Sequence, residues 1–316
     1  MKHPKTLQEA VLFFGDADNC LNYMAARRWP NGAICPTCGR DDVAYLANQK
    51  KWQCKSVHAK RQFSVKVGTI FEDSPLGLDK WLIAVWMITN CKNGISSYEV
   101  HRAIGVTQKT AWFMIHRIRK AMECGSFEKL SGEVECDETY IGGKSKNMHA
   151  KRRKEMKIRR GYEEKTGVMG MLQRSGKVKA KVIKHADTKT LLGLINDNVE
   201  TGSVVMTDDH GGYRNMSHED YIHEVINHAV EYVRGNIHTN SIENFWSLLK
   251  RSIKGTYVSV EPSHLQRYVE EQVFRYNERK GTDGTRFQKI TSQVSGKRLT
   301  YAELTGKTPE ASLLQS

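Results

Sequence analysis

Three changes of hydrophobic period divide the chain. A short amphipathic stretch, Leu7 to Phe14, opens it, and an alternating run, Gln62-Phe63-Ser64-Val65-Lys66-Val67, reads as a strand. Ser74-Pro75-Leu76-Gly77 marks a boundary, after which Trp81, Leu82, Val85, Trp86 and Ile88 fall at helical spacing. Beyond a break at Asn93-Gly94, Ser96 or Ser97 caps a short predicted helix through Ala103. Gly105-Val106 turns the chain, and Thr107 caps a longer helix with Ala111, Met114, Ile115, Ile118 and Met122 on one face. From about Ser131 the texture changes again. Val134 to Ile141, Thr166 to Leu172, Lys177 to Ile183 and Ser203 to Thr207 read as strands, with a helix over Thr188 to Asn198 before the last. Two more helices, about Ser241 to Lys254 and His264 to Arg279, follow. This order predicts a mixed α/β sheet, and the polar remainder after Gly281 reads as a tail.

Composition adds a partner class. The 316 residues carry 49 Lys and Arg against 35 Asp and Glu, a net charge of +14, which favours a polyanion through counterion release. No apolar run is long enough to cross a membrane, and the first residues lack the apolar core of a secretory signal. A cytoplasmic, nucleoid-associated protein is expected.

The seven cysteines all lie in the first half of the chain, a distribution that suits a metal site better than a disulfide framework. Cys35-Pro36-Thr37-Cys38-Gly39 is a two-thiolate knuckle, and Cys54 follows at zinc-ribbon distance. His58, four residues on, is the nearby candidate that completes a tetrahedral Cys3His set. Four protein ligands leave no open position, so this Zn2+ is expected to be structural; the competing reading is a redox Cys-x-x-Cys pair.

The short helix, Gly turn and longer helix match a helix-turn-helix pattern, which is also common in plain packing hairpins. As a DNA reader its second helix offers Lys109 and Arg117. A second basic stretch, Lys144 to Arg160, includes Lys151, Arg152 and Arg153 and could clamp a DNA backbone.

Acids then appear where a buried strand seldom tolerates them. Glu135 and Asp137 fall on one face of the Val134 strand and Glu138 on the other. Asp208 and Asp209 end another strand. Glu243 sits on a helix beside the apolar stripe Ile242, Phe245, Trp246, Leu249 and Ile253, two turns before Lys250. Carboxylates gathered from two strands and a helix suit a pair of divalent ions working on a phosphodiester.

At these residues the chain resembles the insertion-sequence DDE transposases with an N-terminal zinc ribbon, the insertion sequence fifteen-ninety-five group. The resemblance runs to about Lys280. It is carried by Arg28-Trp29-Pro30-Asn31-Gly32 before the knuckle, and by Arg61-Gln62-Phe63-Ser64 leading to Gly68-Thr69-Ile70-Phe71. It continues in Asp137-Glu138-Thr139-Tyr140-Ile141-Gly142-Gly143, in Thr207-Asp208 with Tyr213, in His238-Thr239-Asn240-Ser241-Ile242-Glu243-Asn244-Phe245-Trp246 through Lys250-Arg251, and in Tyr268 to Asn277. The resemblance implies an RNase H-like fold and DNA strand transfer at element ends with two Mg2+ or Mn2+ ions. Asp137, Asp208 and Glu243 are its catalytic acids, Lys250 its basic residue seven beyond the Glu, and Arg251 a further DNA contact. It implies double-stranded DNA, both element ends and target, as partner, and a homo-oligomer assembled on it. Two departures stand out. The family's second half-site is commonly a close Cys pair, where this chain has Cys54 and His58. Related members vary at the third catalytic position, which leaves Asn240 and His238 as auxiliary or alternative ligands.

The expected organisation is a helix and zinc ribbon over 1–72, a helix-turn-helix segment over 73–130, an RNase H-like catalytic domain over 131–280 and a polar tail over 281–316. A nuclease that only hydrolyses and a non-catalytic zinc-ribbon regulator are the alternative readings.

Overall fold

The computed structural model describes residues 4–123, 128–143, 165–217, 219–226 and 238–306. They form two compact units. One holds residues 1–123 and 280–316, and the other holds residues 124–279.

In the first unit, helices α1 (Leu7–Phe14) and α2 (Ala17–Arg28) are capped by Thr6 and Asp16, whose side chains accept the free amides of the first turn. A three-stranded antiparallel ribbon follows: β1 (Val43–Leu46), β2 (Lys51–Cys54) and β3 (Gln62–Phe63). The strand expected over Gln62 to Val67 ends at Phe63. The Val67 amide instead closes a turn on the Ser64 carbonyl at 3.2 Å, and Gly68 takes φ +76°. The alternation there came from a turn that buries Val65, which is 2% exposed.

Helices α3 (Leu78–Asn90), α4 (Ser97–Ile104) and α5 (Gln108–Met122) occupy the predicted positions. Ser96 and Glu99 close a reciprocal capping box on α4. Gly105 ends that helix at φ +61°, and Thr107 caps α5.

The stretch read from sequence as a polar tail is not one. Residues Asp283–Ser292 form a helix, and Tyr301–Leu304 form a further turn of helix. Phe287 lies 5.0 Å from Trp86, 5.5 Å from Phe14 and 5.7 Å from Tyr23, ring centre to ring centre. Val294 and Gly68 supply backbone acceptors to Ile70 and Gly296, so the segment completes the core of the first unit. Its apolar positions, Phe287, Ile290, Val294, Leu299 and Leu304, are sparse in sequence, and their partners lie some two hundred residues earlier.

The second unit is a five-stranded sheet in the order β6-β5-β4-β7-β8. Strands β4 (Glu133–Ile141), β5 (Thr166–Gln173) and β6 (Val178–Ile183) form an antiparallel meander. Strands β7 (Val204–Asp208) and β8 (Ile222–Ile226) run parallel to β4. β8 was not foreseen: Ile222-His223-Glu224-Val225-Ile226 is half polar, as befits an edge strand.

Helix α6 (Thr188–Asn198) shares a core with Val134, Cys136, Met169 and Met171 on one face of the sheet. Helices α7 (Asn240–Ser252) and α8 (Leu265–Asn277) share another with Val168, Leu172, Val178 and Ala180. Strand alternation thus sends Glu135 and Asp137 toward the α7 face and Glu138 toward the α6 face. The unit is a mixed α/β fold with helices on both sides of one sheet. Among the described residues, no helix is long and apolar enough to cross a membrane.

Candidate functional site

In the ribbon, the ligand atoms of Cys35, Cys38, Cys54 and His58 all lie within 4.8 Å of one another. Cys35 Sγ is 3.5 Å from His58 Nε2, and Cys38 Sγ is 3.6 Å from Cys54 Sγ. Such spacings match the edges of a tetrahedron of sulfur and nitrogen around one Zn2+, about 3.8 Å for metal–sulfur bonds of ~2.3 Å. His58 Nδ1 lies 2.7 Å from the Ala59 carbonyl, which leaves Nε2 free to ligate. Gly39 closes the knuckle at φ +74°. Behind the cluster, Phe63 packs with Trp29, Trp52 and Val43, a core too small to hold the ribbon without a metal. The residues fit structural zinc.

The acids of the second unit are positioned by pairing and packing. Parallel pairing of β4 with β7 runs from Glu133 opposite Val204 to Glu135 opposite Met206. The same register, continued two residues past the last paired position, brings Asp137 toward Asp208 on the neighbouring strand, whose charge it senses. Asp208 Oδ1 accepts the His210 amide at 3.2 Å, which turns the chain just beyond β7.

Asp137 is held on both oxygens. Trp246 Nε1 donates to Oδ2 at 2.9 Å, and the Glu138 amide donates to Oδ1 at 2.7 Å. Trp246 reaches it because Gly170, the ladder partner of Asp137 on β5, has no side chain. A Cβ at Gly170 would lie 2.6 Å from the indole and 2.9 Å from Ile242. Burial first, then the charges of Asp208 and Glu243, push the Asp137 carboxyl up to about 6. Burial likewise raises Glu138 to about 7, against a hydrogen bond from the Tyr213 hydroxyl. A carboxylate crowded by two others is the electrostatic setting that a divalent cation relieves, and hard oxygen donors suit Mg2+ or Mn2+.

Helix α7 brings in the third acid, and sequence reasoning missed how. The Thr239 side chain makes no cap hydrogen bond to the helix. Glu135, fully buried on β4, caps it from the sheet instead: its Oε2 accepts the Ser241 and Ile242 amides at 2.9 and 3.0 Å. Arg174 neutralises Glu135 at 2.9 Å and reaches the His238 carbonyl at 2.9 Å. Glu243, exposed on the first turn, takes a hydrogen bond from Thr239 at 3.2 Å. A second carboxylate on the Asp137 face of the strand, two residues before it, was the available signal, but its partner helix lies a hundred residues away.

Of the other candidates, Asn240 is exposed at the start of α7, and His238 Nδ1 faces Glu135 at 3.4 Å, turned into the anchor. Lys250 lines a cleft with Tyr140, Ile141 and Gly143 at the end of β4, while Arg251 is exposed on α7. Among the described residues only the Cys3His set closes on a single point. Asp208 and Glu243 are electrostatic neighbours of Asp137.

In the first unit Lys109 is exposed at the start of α5, 5.1 Å over the Tyr301 ring. Arg117 is a correction. It is 3% exposed, donates to the Glu72 carbonyl and lies 5.3 Å over each of Trp81 and Phe113, so it holds the unit together and does not face solvent. Helical periodicity placed it beside the buried stripe, and a guanidinium with aromatic stacking partners joins that stripe readily. Lys151, Arg152 and Arg153 lie outside the described residues.

Residues 129–277 match the ISXO2-like transposase domain, and residues 15–59 match the transposase zinc-ribbon domain. An uncharacterized protein in transposable element ISH50 of Halobacterium salinarum is 28% identical over 242 residues, 73% of this chain and 81% of that protein. An uncharacterized transposase-like protein of Haemophilus influenzae is 29% identical over 101 residues, 32% of this chain and 81% of its own length. With a zinc ribbon and a transposase domain in that order, and the matching stretches covering more than half of its length, the chain belongs to the insertion-sequence transposases of the fifteen-ninety-five group.

Proposed function

We propose that the protein cuts the ends of its insertion sequence and joins the freed 3′-hydroxyls to target DNA, with Asp137, Asp208 and Glu243 as the catalytic acids of an RNase H-like domain. What supports this reading is that Asp137 and Asp208 lie on adjacent parallel strands, just past their last paired residues, with Asp137 sensing the charges of Asp208 and of Glu243 on α7. The sheet order, three antiparallel strands followed by two parallel ones, supports the RNase H-like assignment.

Asp137, Asp208 and Glu243 would together hold the divalent ions, Asp137 being the acid that feels the charge of both others. The ions when bound would activate the attacking oxygen and stabilise the leaving one. The chain's own contribution is positional. Trp246 fixes the rotamer of Asp137, Glu135 and Arg174 fix the start of α7, and Lys250 meets a phosphate at the end of β4. Asn240, exposed one turn before Glu243, is the auxiliary ligand to test. The zinc ribbon and the α4–α5 hairpin supply double-stranded DNA contacts through Lys109 and neighbouring exposed groups. The active form is a homo-oligomer that pairs two ends, acting at the nucleoid.

The test is a joining reaction with an end-labelled duplex of the element's terminal repeat in Mg2+ and in Mn2+. Wild type should give nicked ends and then labelled products covalently joined to target, and D137N should give neither. Nicking without joining would make the protein a nuclease. Binding without either would make it a regulator. Cleavage by D137N would remove Asp137 from the mechanism.

A further inference from the structure

The cleft at the end of β4 has an apolar tip with no part in the chemistry above. Helix α7 runs on through one π-turn, Ile253–Tyr257, into Val258 at φ +63°, ψ −54°. The Ser259 amide donates to the Tyr257 carbonyl at 2.7 Å, closing a γ-turn of the rare positive-φ form. A β-branched side chain is a poor occupant of such a turn, because its methyl groups crowd the backbone. Glycine or asparagine would sit there with less strain. Yet the Val258 side chain is 77% exposed, so packing within the unit does not offset the strain.

The turn is braced from behind. Ile253 is buried in the α7–α8 core. The Tyr257 hydroxyl donates to Glu271, itself fully buried and paired with Arg275, and the Tyr257 ring meets Tyr268 edge-on at 4.8 Å. Strained residues persist where the surroundings over-determine them, and they cluster where ligands are gripped. In front of the turn, Val258 shares the wall of a cleft of about 720 Å³ with Lys165, Lys250, Lys254 and the side-chain-free Gly142 and Gly143. Three ammonium groups call for phosphates, and an exposed apolar knuckle among them calls for a flat apolar surface. A nucleic-acid strand offers both. Paired and stacked bases hide their faces, so the matching ligand is a DNA end whose last pairs are open.

We propose that Val258 is a wedge that packs against the exposed base face of an opened DNA end, while Lys165, Lys250 and Lys254 hold the phosphates of the separated strand. This rests on the reading of the chain as a DNA-cutting transposase and adds that the cleft takes an unpaired strand.

The experiment compares full-length protein binding to a blunt duplex and to the same duplex with mismatched terminal pairs, by fluorescence anisotropy, with Ca2+ in place of Mg2+ so that binding is read without cleavage. Wild type should bind the frayed duplex ~5–30-fold more tightly, the ratio expected for burying one valine-sized side chain. V258G and V258N should bring the ratio close to one while keeping Tm at or above that of wild type, because both relax the turn. V258L should keep most of the preference. Alanine at Lys165 and Lys254 should weaken both duplexes and flatten the salt dependence, with the ratio little changed. Equal binding of the two duplexes by wild type, or an undiminished ratio in both V258G and V258N, overturns the wedge. Cleavage in Mg2+ is scored separately. A protein that cuts but does not distinguish the ends loses the wedge and keeps the transposase chemistry, while one that distinguishes them through Val258 without cutting does the reverse.

Discussion

Replacing Asp137 by asparagine should stabilise the metal-free protein and destroy its response to metal. Asp137 has its carboxyl raised from 3.8 to about 6 by burial and by the neighbouring charges of Asp208 and Glu243. At pH values well above that, holding the carboxylate charged in the folded state opposes folding by roughly 3 kcal/mol. The amide of D137N removes this opposition. It keeps an oxygen for Trp246 Nε1 but offers an NH2 to the Glu138 amide, a lost hydrogen bond worth about 1 kcal/mol. The net expectation is a gain of roughly 1–2 kcal/mol, or about 2–8 °C in the Tm of a unit this size.

The sign with pH follows from the direction of the shift. A carboxyl raised in the folded state favours folding below its unfolded value of 3.8, and that contribution is lost as pH climbs through about 6. The advantage of D137N should therefore be full at about pH 8 and vanish near pH 4. Saturating Mn2+ should reverse the order, since a ligand at a hundred times its Kd adds about 2.7 kcal/mol to wild type. Scanning calorimetry at both pH values, with and without Mn2+, reads all four combinations. A lower metal-free Tm for D137N at high pH, or an equal Mn2+ shift in both proteins, would refute the crowded-carboxylate argument.

Four further outcomes can be checked with the same preparations. G170A should drive Trp246 off the sheet, lowering Tm by the equivalent of roughly 1–3 kcal/mol and blunting the Mn2+ shift, because the indole no longer fixes Asp137. R117A should destabilise the first unit by about 2 kcal/mol without altering the salt slope of DNA binding. K109A should leave Tm unchanged and lower that slope by about 1. Metal analysis should find one zinc per chain. Its removal by a chelator, or C54S, should expose Trp29 and Trp52 and red-shift their fluorescence, and an unshifted spectrum would mean the ribbon holds without the ion.

Much of this molecule was legible in its sequence wherever the evidence was local. Caps at Ser96 and Thr107, the Gly105 turn, the α6 helix and the Cys-x-x-Cys knuckle are each specified by residues within a few positions of one another. What escaped had partners far along the chain. Phe287 and Ile290 look like scattered apolar residues in a polar tail until Trp86 and Tyr23 are set beside them. Arg117 reads as a solvated cation until Trp81, Phe113 and a backbone carbonyl surround it. Edge strand β8 sets His223 and Glu224 side by side between its apolar residues, which breaks the alternation that would announce it.

The acidic site shows why local and distant information had to meet. Asp137 is visible as a charge in a strand, but its usefulness depends on where α7 lies, and nothing within α7 fixes that. Gly170 supplies the space against β5 into which Trp246 fits, and Glu135 supplies the charge that binds the amides at the start of the helix. They act two residues apart along the sheet, Gly170 opposite Asp137 on β5 and Glu135 two positions before Asp137 on β4. Trp246 then donates to Asp137 itself, so the contact that docks the helix also orients the acid, and Glu243 is delivered one turn earlier on the same helix. The docking of α7 and the assembly of the acids are therefore one event. A substitution in this set that loosens the helix must also loosen the metal response, whereas one in the distal α6 core, such as at Leu194, can lower stability while leaving that response intact.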